Sequence, residues 1–175
     1  CGFCMADANE NTPVAALVSG GIDSAVLVAE LCSSYTRVFP LFLRGGLFWE
    51  EAELEHLQSF LREFAPPELQ ALKVLDQPVR DVYGDHWSVT GQGVPRADTA
   101  DDAVFLPGRN LFLLTKAAAW CALNHVEVLA LGTLSANPFP DSTPEFDNRV
   151  AQLVHDALGV PVRITRPFLR LTKAD

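Results

Sequence analysis

The stretch Val14-Ala-Ala-Leu-Val-Ser-Gly-Gly-Ile-Asp-Ser-Ala-Val26 decides how the chain is read. Its apolar run, Val14 to Val18, has the character of a parallel strand buried on both faces. Ser19-Gly20-Gly21 ends the run, and Asp23-Ser24 opens a strongly apolar helix through about Cys32. Two adjacent glycines let the backbone turn sharply and approach a ligand without a Cβ in the way. Ser19 and Ser24 add hydroxyls, and the first N–H groups of the helix aim at the same spot. The pattern predicts an anion pocket at a helix N-terminus. Asp23 suits such a pocket only by holding a metal ion or capping the helix. An ordinary strand-turn-helix corner is the alternative.

The order Ser-Gly-Gly-x-Asp-Ser after a strand resembles the PP-loop of the ATP pyrophosphatase superfamily. A Walker A loop needs Gly-x-x-x-x-Gly-Lys-Ser/Thr, and no Lys follows here.

The totals narrow the function classes. A chain of 175 residues makes one domain or most of one. Its net charge is 13 − 22 = −9, a poor footprint for gripping nucleic acid. A small-molecule substrate is therefore favoured over tRNA. No stretch approaches the roughly 20 apolar residues of a membrane span. The start, Cys-Gly-Phe-Cys-Met-Ala-Asp, lacks the basic and apolar regions of a signal peptide. The expectation is a cytoplasmic protein without a membrane partner. A start other than Met fits a processed chain or a segment of a longer one.

Residues 1–13 read as an extension carrying Cys1-x-x-Cys4, and 14–175 as the nucleotide-binding domain. The cysteine pair suits half a zinc site, a redox pair or no chemistry at all. Two thiolates cannot fill a tetrahedral site, so zinc there would need ligands outside this segment. Cys32 and Cys121 fall within helices and read as small buried apolar residues.

Outward from the first helix, Val38 to Leu43 reads as a second strand. Pro40 is awkward in a central parallel strand, which predicts a late start or a place near an edge. Trp49 to about Phe64 forms a helix with Leu54, Leu57, Phe60 and Leu61 on one face. Glu50, Glu51, Glu53 and Glu55 read as its solvated face and first turn. Ala65-Pro66-Pro67 stops it, and Leu69 to Leu75 suggests a third strand. Asp76 to Gly108 is a long irregular segment. Its length and its aromatics around His86 point to an ordered loop that covers a substrate. His86 itself reads as structural, with catalysis as the alternative.

Leu106-Pro-Gly-Arg-Asn110 leads into a helix from Leu111 to Asn124. Asn110 reads as its cap. A guanidinium at a helix start is unfavourable without an anion nearby, so Arg109 is a candidate phosphate or carboxylate ligand; a solvated arginine is the alternative. Val126 to Leu131 is a fourth strand, turned tightly at Gly132-Thr133. Pro144 opens a helix to about Leu158, Gly159 caps it, and Val160 to Thr165 is a fifth strand. Thr172 before Lys173-Ala-Asp looks like the cap of a further helix. Strands alternating with long helices predict a doubly wound parallel sheet with helices on both faces, a three-layer Rossmann-like α/β fold. Ligands bind such sheets at the carboxyl ends of the strands.

From Val14 onward the chain resembles the QueC (ExsB) family, 7-cyano-7-deazaguanine synthases of queuosine biosynthesis. The resemblance rests on Ser19-Gly-Gly-Ile-Asp-Ser24, Leu106-Pro-Gly-Arg-Asn110, Phe139-Pro-Asp-Ser-Thr-Pro-Glu-Phe146 and Leu171-Thr-Lys-Ala174. It departs at Leu43-Arg-Gly-Gly-Leu-Phe-Trp-Glu50, where the family has Tyr-Gly-Gln-Arg-His. It departs again at Ser142-Thr143, where the family has Cys-Arg. The family's four-cysteine zinc site lies beyond the Lys-Ala helix, past Asp175.

The resemblance implies an adenine nucleotide alpha hydrolase-like domain, a C-terminal zinc-binding part, and a ligase using ATP, Mg²⁺ and ammonia on a 7-deazapurine acid. Val18, Ser19, Gly20, Gly21, Ser24 and Gly132 would hold ATP, with Asp23 on Mg²⁺. Arg109 would hold an anion and, with Asp23 and Lys173, serve the chemistry. Asn110, Asp141 and Glu145 would join Arg109 on the substrate. Cys1 and Cys4 are candidate zinc ligands, and a homodimer is left open. Two rival readings remain: another PP-loop amidating or sulfur-transfer enzyme, and a non-catalytic ATP-binding module.

Overall fold

The computed structural model describes residues 12–96, 99, 101–135 and 139–172. Cys1, Cys4 and Lys173 lie outside them, as does the helix expected after Thr172. Among the described residues, β1 (Val14–Leu17), β2 (Val38–Arg44), β3 (Lys73–Asp76), β4 (Val128–Leu131) and β5 (Arg163–Thr165) form one sheet. Its order is β3-β2-β1-β4-β5, and all four pairings are parallel.

Alternation along β1 assigns its side chains to two layers. Val14, Ala16 and Val18 pack against Leu27, Val28 and Leu31 of α1 (Ile22–Ser34) and Leu54, Leu57 and Leu61 of α2 (Glu50–Phe64). Ala15 and Leu17 face the other way, toward α5 (Arg109–Leu123) and α6 (Pro144–Leu158). The small residues Ala117, Ala118, Cys121 and Ala122 of α5 bring that helix close to the sheet. The result is a three-layer, doubly wound Rossmann-like sheet of the adenine nucleotide alpha hydrolase kind. No helix among the described residues is long and apolar enough to cross a membrane.

Pro40 sits in β2, an interior strand, and not at an edge. The hydrogen bonds show how it is tolerated. Val38 accepts from Gln70 N–H and donates to Glu68, so its polar groups face β3. Two residues on, the position of Pro40 faces the same way. There the partner strand is interrupted: a bridge joins Val38 to Leu69, and regular pairing resumes only at Leu41 with Lys73. The missing N–H falls opposite the gap, which also explains why β3 starts at Lys73 and not at Leu69.

The segment from Asp76 to Gly108 is more regular than its composition suggests. It contains α3 (Arg80–Tyr83), α4 (Trp87–Thr90) and a 3₁₀ turn at Asp101–Val104. A third apolar cluster, built on Leu47, Val79, Val89 and Leu106, docks it on the loop after β2. Trp49 and Trp87 stack there with ring centroids 5.5 Å apart. His86 caps α4 by accepting from Ser88 N–H, a structural role.

Gly20 is fixed by packing. A Cβ on it would lie 2.4 Å from the carbonyl oxygen of Glu53 in α2. Gly20→Ala is therefore expected to destabilise the fold by roughly 1–3 kcal/mol, the usual range for overpacking. The measurement is the urea midpoint at unchanged slope. An unshifted midpoint would show that α1 and α2 do not meet at this glycine.

Candidate active site

The chain leaves β1 for α1 on one face of the sheet and leaves β4 for α6 on the other. The two strands are neighbours, so their carboxyl ends open a crevice at the switch point. A cleft of about 250 Å³ lies there. Its floor is apolar, from Leu17, Val18, Phe42, Leu43 and Leu131. Its polar rim brings together Ser19, Asp23, Ser24, Glu50, Glu53, Arg109, Asn110, Gly132 and Thr133.

The loop after β1 is held by its own hydroxyls. Ser19 N–H donates to Ser24 Oγ at 2.9 Å, and the two hydroxyl oxygens lie 3.1 Å apart. Gly21 N–H points to Ser19 Oγ at 3.3 Å. One hydroxyl hydrogen is thus spent within the loop, leaving fewer side-chain donors than the sequence suggests. Gly21, the N-cap of α1, makes no side-chain capping bond. The first-turn amides of Ile22, Asp23 and Ser24 have no intrahelical carbonyl to meet. The expected sharp turn also has a different basis. Neither Gly20 nor Gly21 has a positive φ, and the need for small residues is one of contact. Gly132 makes the second such contact, since a Cβ there would lie 2.9 Å from the carbonyl oxygen of Asp23.

Arg109 is the first residue of α5 and lines the cleft. Its guanidinium makes no hydrogen bond or ion pair with another described residue, while its charge acts on Glu53 and Tyr83. Asn110 is not the cap. Gly108 holds that position with φ 77°, and Asn110 stands in the first turn. Its backbone N–H and its Nδ2 each donate to the Asp141 carboxylate at 3.2 Å. Asp141 is 8% exposed. It stands behind Asn110, which lines the cleft, and is itself absent from the lining. Glu145 is exposed in the first turn of α6 and also stands off the cleft.

The sequence reading placed Glu50 and Glu53 on a solvated face, and the structure corrects both. Glu50 is 4% exposed and accepts N–H bonds from Gly45, Gly46 and Leu47 at 2.9, 2.6 and 3.1 Å. It shapes the loop after β2, where the resemblance to the family breaks down. Glu53 lines the cleft. Burial pushes its carboxyl above the usual range; Arg109 opposes that shift and Glu50 reinforces it.

A second group escaped notice. Asp147 and Arg166 form a buried bidentate pair at 2.6 and 2.8 Å. The remaining guanidinium nitrogen donates to Thr133 Oγ1 and Ser142 Oγ, each at 2.8 Å. One side chain thereby ties the turns after β4 and β5 to the start of α6. Ser142 and Thr143, the second departure from the family pattern, are both used: Ser142 accepts from Arg166, and Thr143 caps α6 by accepting from Phe146 N–H at 3.2 Å. Cys32 and Cys121 are buried as expected, and burial pushes their thiols up to about 11 and about 12.

The raised Glu53 carboxyl has a sign that can be checked. Its proton is harder to remove in the folded chain than in the unfolded one. That opposes folding above the ordinary carboxylate range and vanishes below it. Glu53→Gln is expected to raise the melting temperature near pH ~7.5 by on the order of 1–2 °C and to leave it unchanged near pH ~3.5. A variant that melts lower at both pH values would contradict the burial argument.

Comparison with known proteins identifies the family. The family model described as "Queuosine biosynthesis protein QueC" matches residues 14–175. The 7-cyano-7-deazaguanine synthase of Xanthomonas euvesicatoria pv. vesicatoria (strain 85-10) is 28% identical over 169 residues, covering 91% of this chain and 72% of its own length. The 7-cyano-7-deazaguanine synthase 1 of Desulfitobacterium hafniense (strain Y51) is 29% identical over 136 residues, covering 76% of this chain and 60% of its own. Among solved structures, a predicted subunit of tRNA methyltransferase from Methanocaldococcus jannaschii superposes with a TM-score of 0.57 at 13% identity, over 93% of this chain and 71% of that one. That likeness speaks for the fold alone. With the family model spanning the whole sheet and its cleft, the chain belongs to the QueC family.

Proposed function

We propose that this protein is an ATP-dependent carbon–nitrogen ligase that converts 7-carboxy-7-deazaguanine and ammonia to 7-cyano-7-deazaguanine. The observation that carries the reading is the uncapped start of α1, its loop held by the Ser19–Ser24 bond, sharing a cleft with Arg109. A polyphosphate suits both.

A carboxylate resists ammonia because its carbon carries a delocalised anion and no leaving group. Transfer of a nucleotidyl group from ATP to one oxygen releases pyrophosphate and supplies the leaving group. Ammonia then displaces AMP to give the amide. A second activation on the amide oxygen, with loss of AMP and the amide protons, gives the nitrile. For all of these steps the protein supplies position and charge. The amides of Ile22, Asp23 and Ser24 meet phosphate oxygens, with Ser19, Gly20, Gly21 and Ser24 forming the cradle. The apolar floor at Val18 and Leu131 gives a flat wall to a base.

Arg109 holds phosphate or the substrate carboxylate. Asn110 faces the substrate and is held in place by Asp141, which acts through it, whereas Glu145 could reach substrate only from outside the described cleft. Lys173 remains a candidate phosphate contact. Asp23 would hold Mg²⁺, which shields phosphate charge during transfer. The described residues contain no cluster of three or more His, Cys, Asp or Glu suited to a metal ion. One carboxylate with nucleotide phosphates is the usual way Mg²⁺ is bound, so the donor set fits. The reading keeps ammonia and a small-molecule acid as partners and leaves zinc to ligands beyond the described residues. Sulfur transfer finds no support in Cys32 or Cys121, whose buried thiols stay protonated.

The test incubates the full-length protein with ATP, Mg²⁺, ammonium and 7-carboxy-7-deazaguanine, and follows product mass. Nitrile is expected; amide alone would assign a branch that stops halfway. Asp23→Asn should lower turnover at least ~100-fold, as loss of a charge-stabilising group does, with little change in the thermal melt. ATP consumed only with another acid or with tRNA would overturn the substrate. No consumption under any condition would favour a non-catalytic module.

A further inference from the structure

The acceptors that the resemblance assigned to the substrate do not stand in the cleft. Asp141 is bonded to Asn110 and lies behind it, and Glu145 lies off the lining. Three other carboxylates line the cleft: Asp23, Glu50 and Glu53. Asp23 belongs to the first turn of α1, where phosphates sit in the reading above. Glu50 is buried, and both its oxygens are taken by the N–H groups of Gly45, Gly46 and Leu47. Glu53 is left.

Glu53 is half-buried, and its carboxylate makes no hydrogen bond or ion pair with another described residue. The charges that act on it are those of Arg109 and Glu50, both residues of the cleft wall. The carboxyl therefore stands on the cleft side of α2. Its place along the helix is fixed: Leu54 beside it is buried in the core, and the backbone of Glu53 packs on Gly20. Partial burial without a partner costs free energy. A ligand that brings hydrogen-bond donors would relieve that cost.

We propose that Glu53 recognises the amino and ring N–H edge of the purine-like acid and so sets the substrate specificity of the cleft. The proposal rests on the reaction proposed above. An ionised carboxylate only accepts hydrogen bonds, at two oxygens. The acid carries two adjacent donors, the ring N–H and the exocyclic amine of its guanine-like edge, and this pair matches the two oxygens. The corresponding edge of adenine sets an acceptor beside its amine, so Glu53 favours the acid over the base of ATP. Arg109 supplies the opposite charge in the same cleft, for the anionic end of the same molecule. Hydrogen bonds to an ionised group are the strong ones, and an acid without the amine would leave one oxygen of Glu53 unpaired.

The test uses the full-length protein. Acid-dependent exchange of labelled pyrophosphate into ATP reports the activation step, and it is measured with 7-carboxy-7-deazaguanine and with its analogue lacking the 2-amino group. The unmodified protein should favour the first by at least about tenfold in kcat/KM, the effect of one hydrogen bond to a charged group. Glu53→Met keeps the length and removes both acceptors; the preference should fall to within about twofold, with the KM for ATP unmoved. Glu53→Gln keeps the shape, replaces one acceptor by a donor, and should narrow the preference at least about threefold. A merely structural role would slow both acids alike; an unchanged ratio in both variants would overturn the proposal. So would a raised KM for ATP at an unchanged ratio, which would place Glu53 at the nucleotide. Equal use of the two acids by the unmodified protein would overturn it as well. Absence of acid-dependent exchange in the unmodified protein would instead overturn the proposed reaction, and the role of Glu53 with it.

Discussion

The passage from β1 into α1 is held by two close backbone contacts that leave no room for a side chain. On one side Gly20 meets the carbonyl of Glu53 in α2; on the other Gly132, after β4, meets the carbonyl of Asp23. These two contacts fix the distance between the helix start, the neighbouring helix and the neighbouring strand end. They also settle what the helix can do with its first amides. No side chain caps them, and the hydroxyls of Ser19 and Ser24 are turned on each other and on the loop. The loop is thereby held by bonds within itself.

The other half of the cleft depends on Arg166. Burying a guanidinium is costly unless every donor is met. Here four of the five N–H donors are met, two by Asp147 and one each by Thr133 and Ser142. Thr133 lines the cleft, so a buried charge pair at the start of α6 positions a residue of the cleft wall. The same logic runs through Asp141, whose carboxylate holds Asn110 at the mouth of α5. In both cases a buried carboxylate acts on the site at one remove.

What could be read in the sequence follows from locality. The strand, loop and helix from Val14 to Cys32 are contiguous, so period and punctuation sufficed for the fold and for the glycine-bounded helix start. Arg109 was legible because a cation at a helix start is anomalous wherever the helix lies. The misplaced residues are those whose surroundings are set by tertiary contact. Glu50 and Glu53 look like one solvated acidic face, yet Glu50 is buried against the loop after β2 and both line the cleft. Asp147 and Arg166 stand 19 positions apart, and nothing local links a first-turn acid to an arginine after a distant strand. Pro40 was legible in part: β2 lies next to the edge strand, but its tolerance depends on a break in that partner strand.

The central claim is that nucleotide phosphates sit on the first turn of α1, opposite Arg109. Hydrogen exchange of backbone amides, with and without ATP and Mg²⁺, tests it most directly. The account predicts slowed exchange at Ile22, Asp23 and Ser24 and across the start of α5. The groove between the end of α2 and β3, lined by Leu61, Pro66 and Leu72, should stay unchanged. Protection in that groove, with none at the start of α1, would contradict the account.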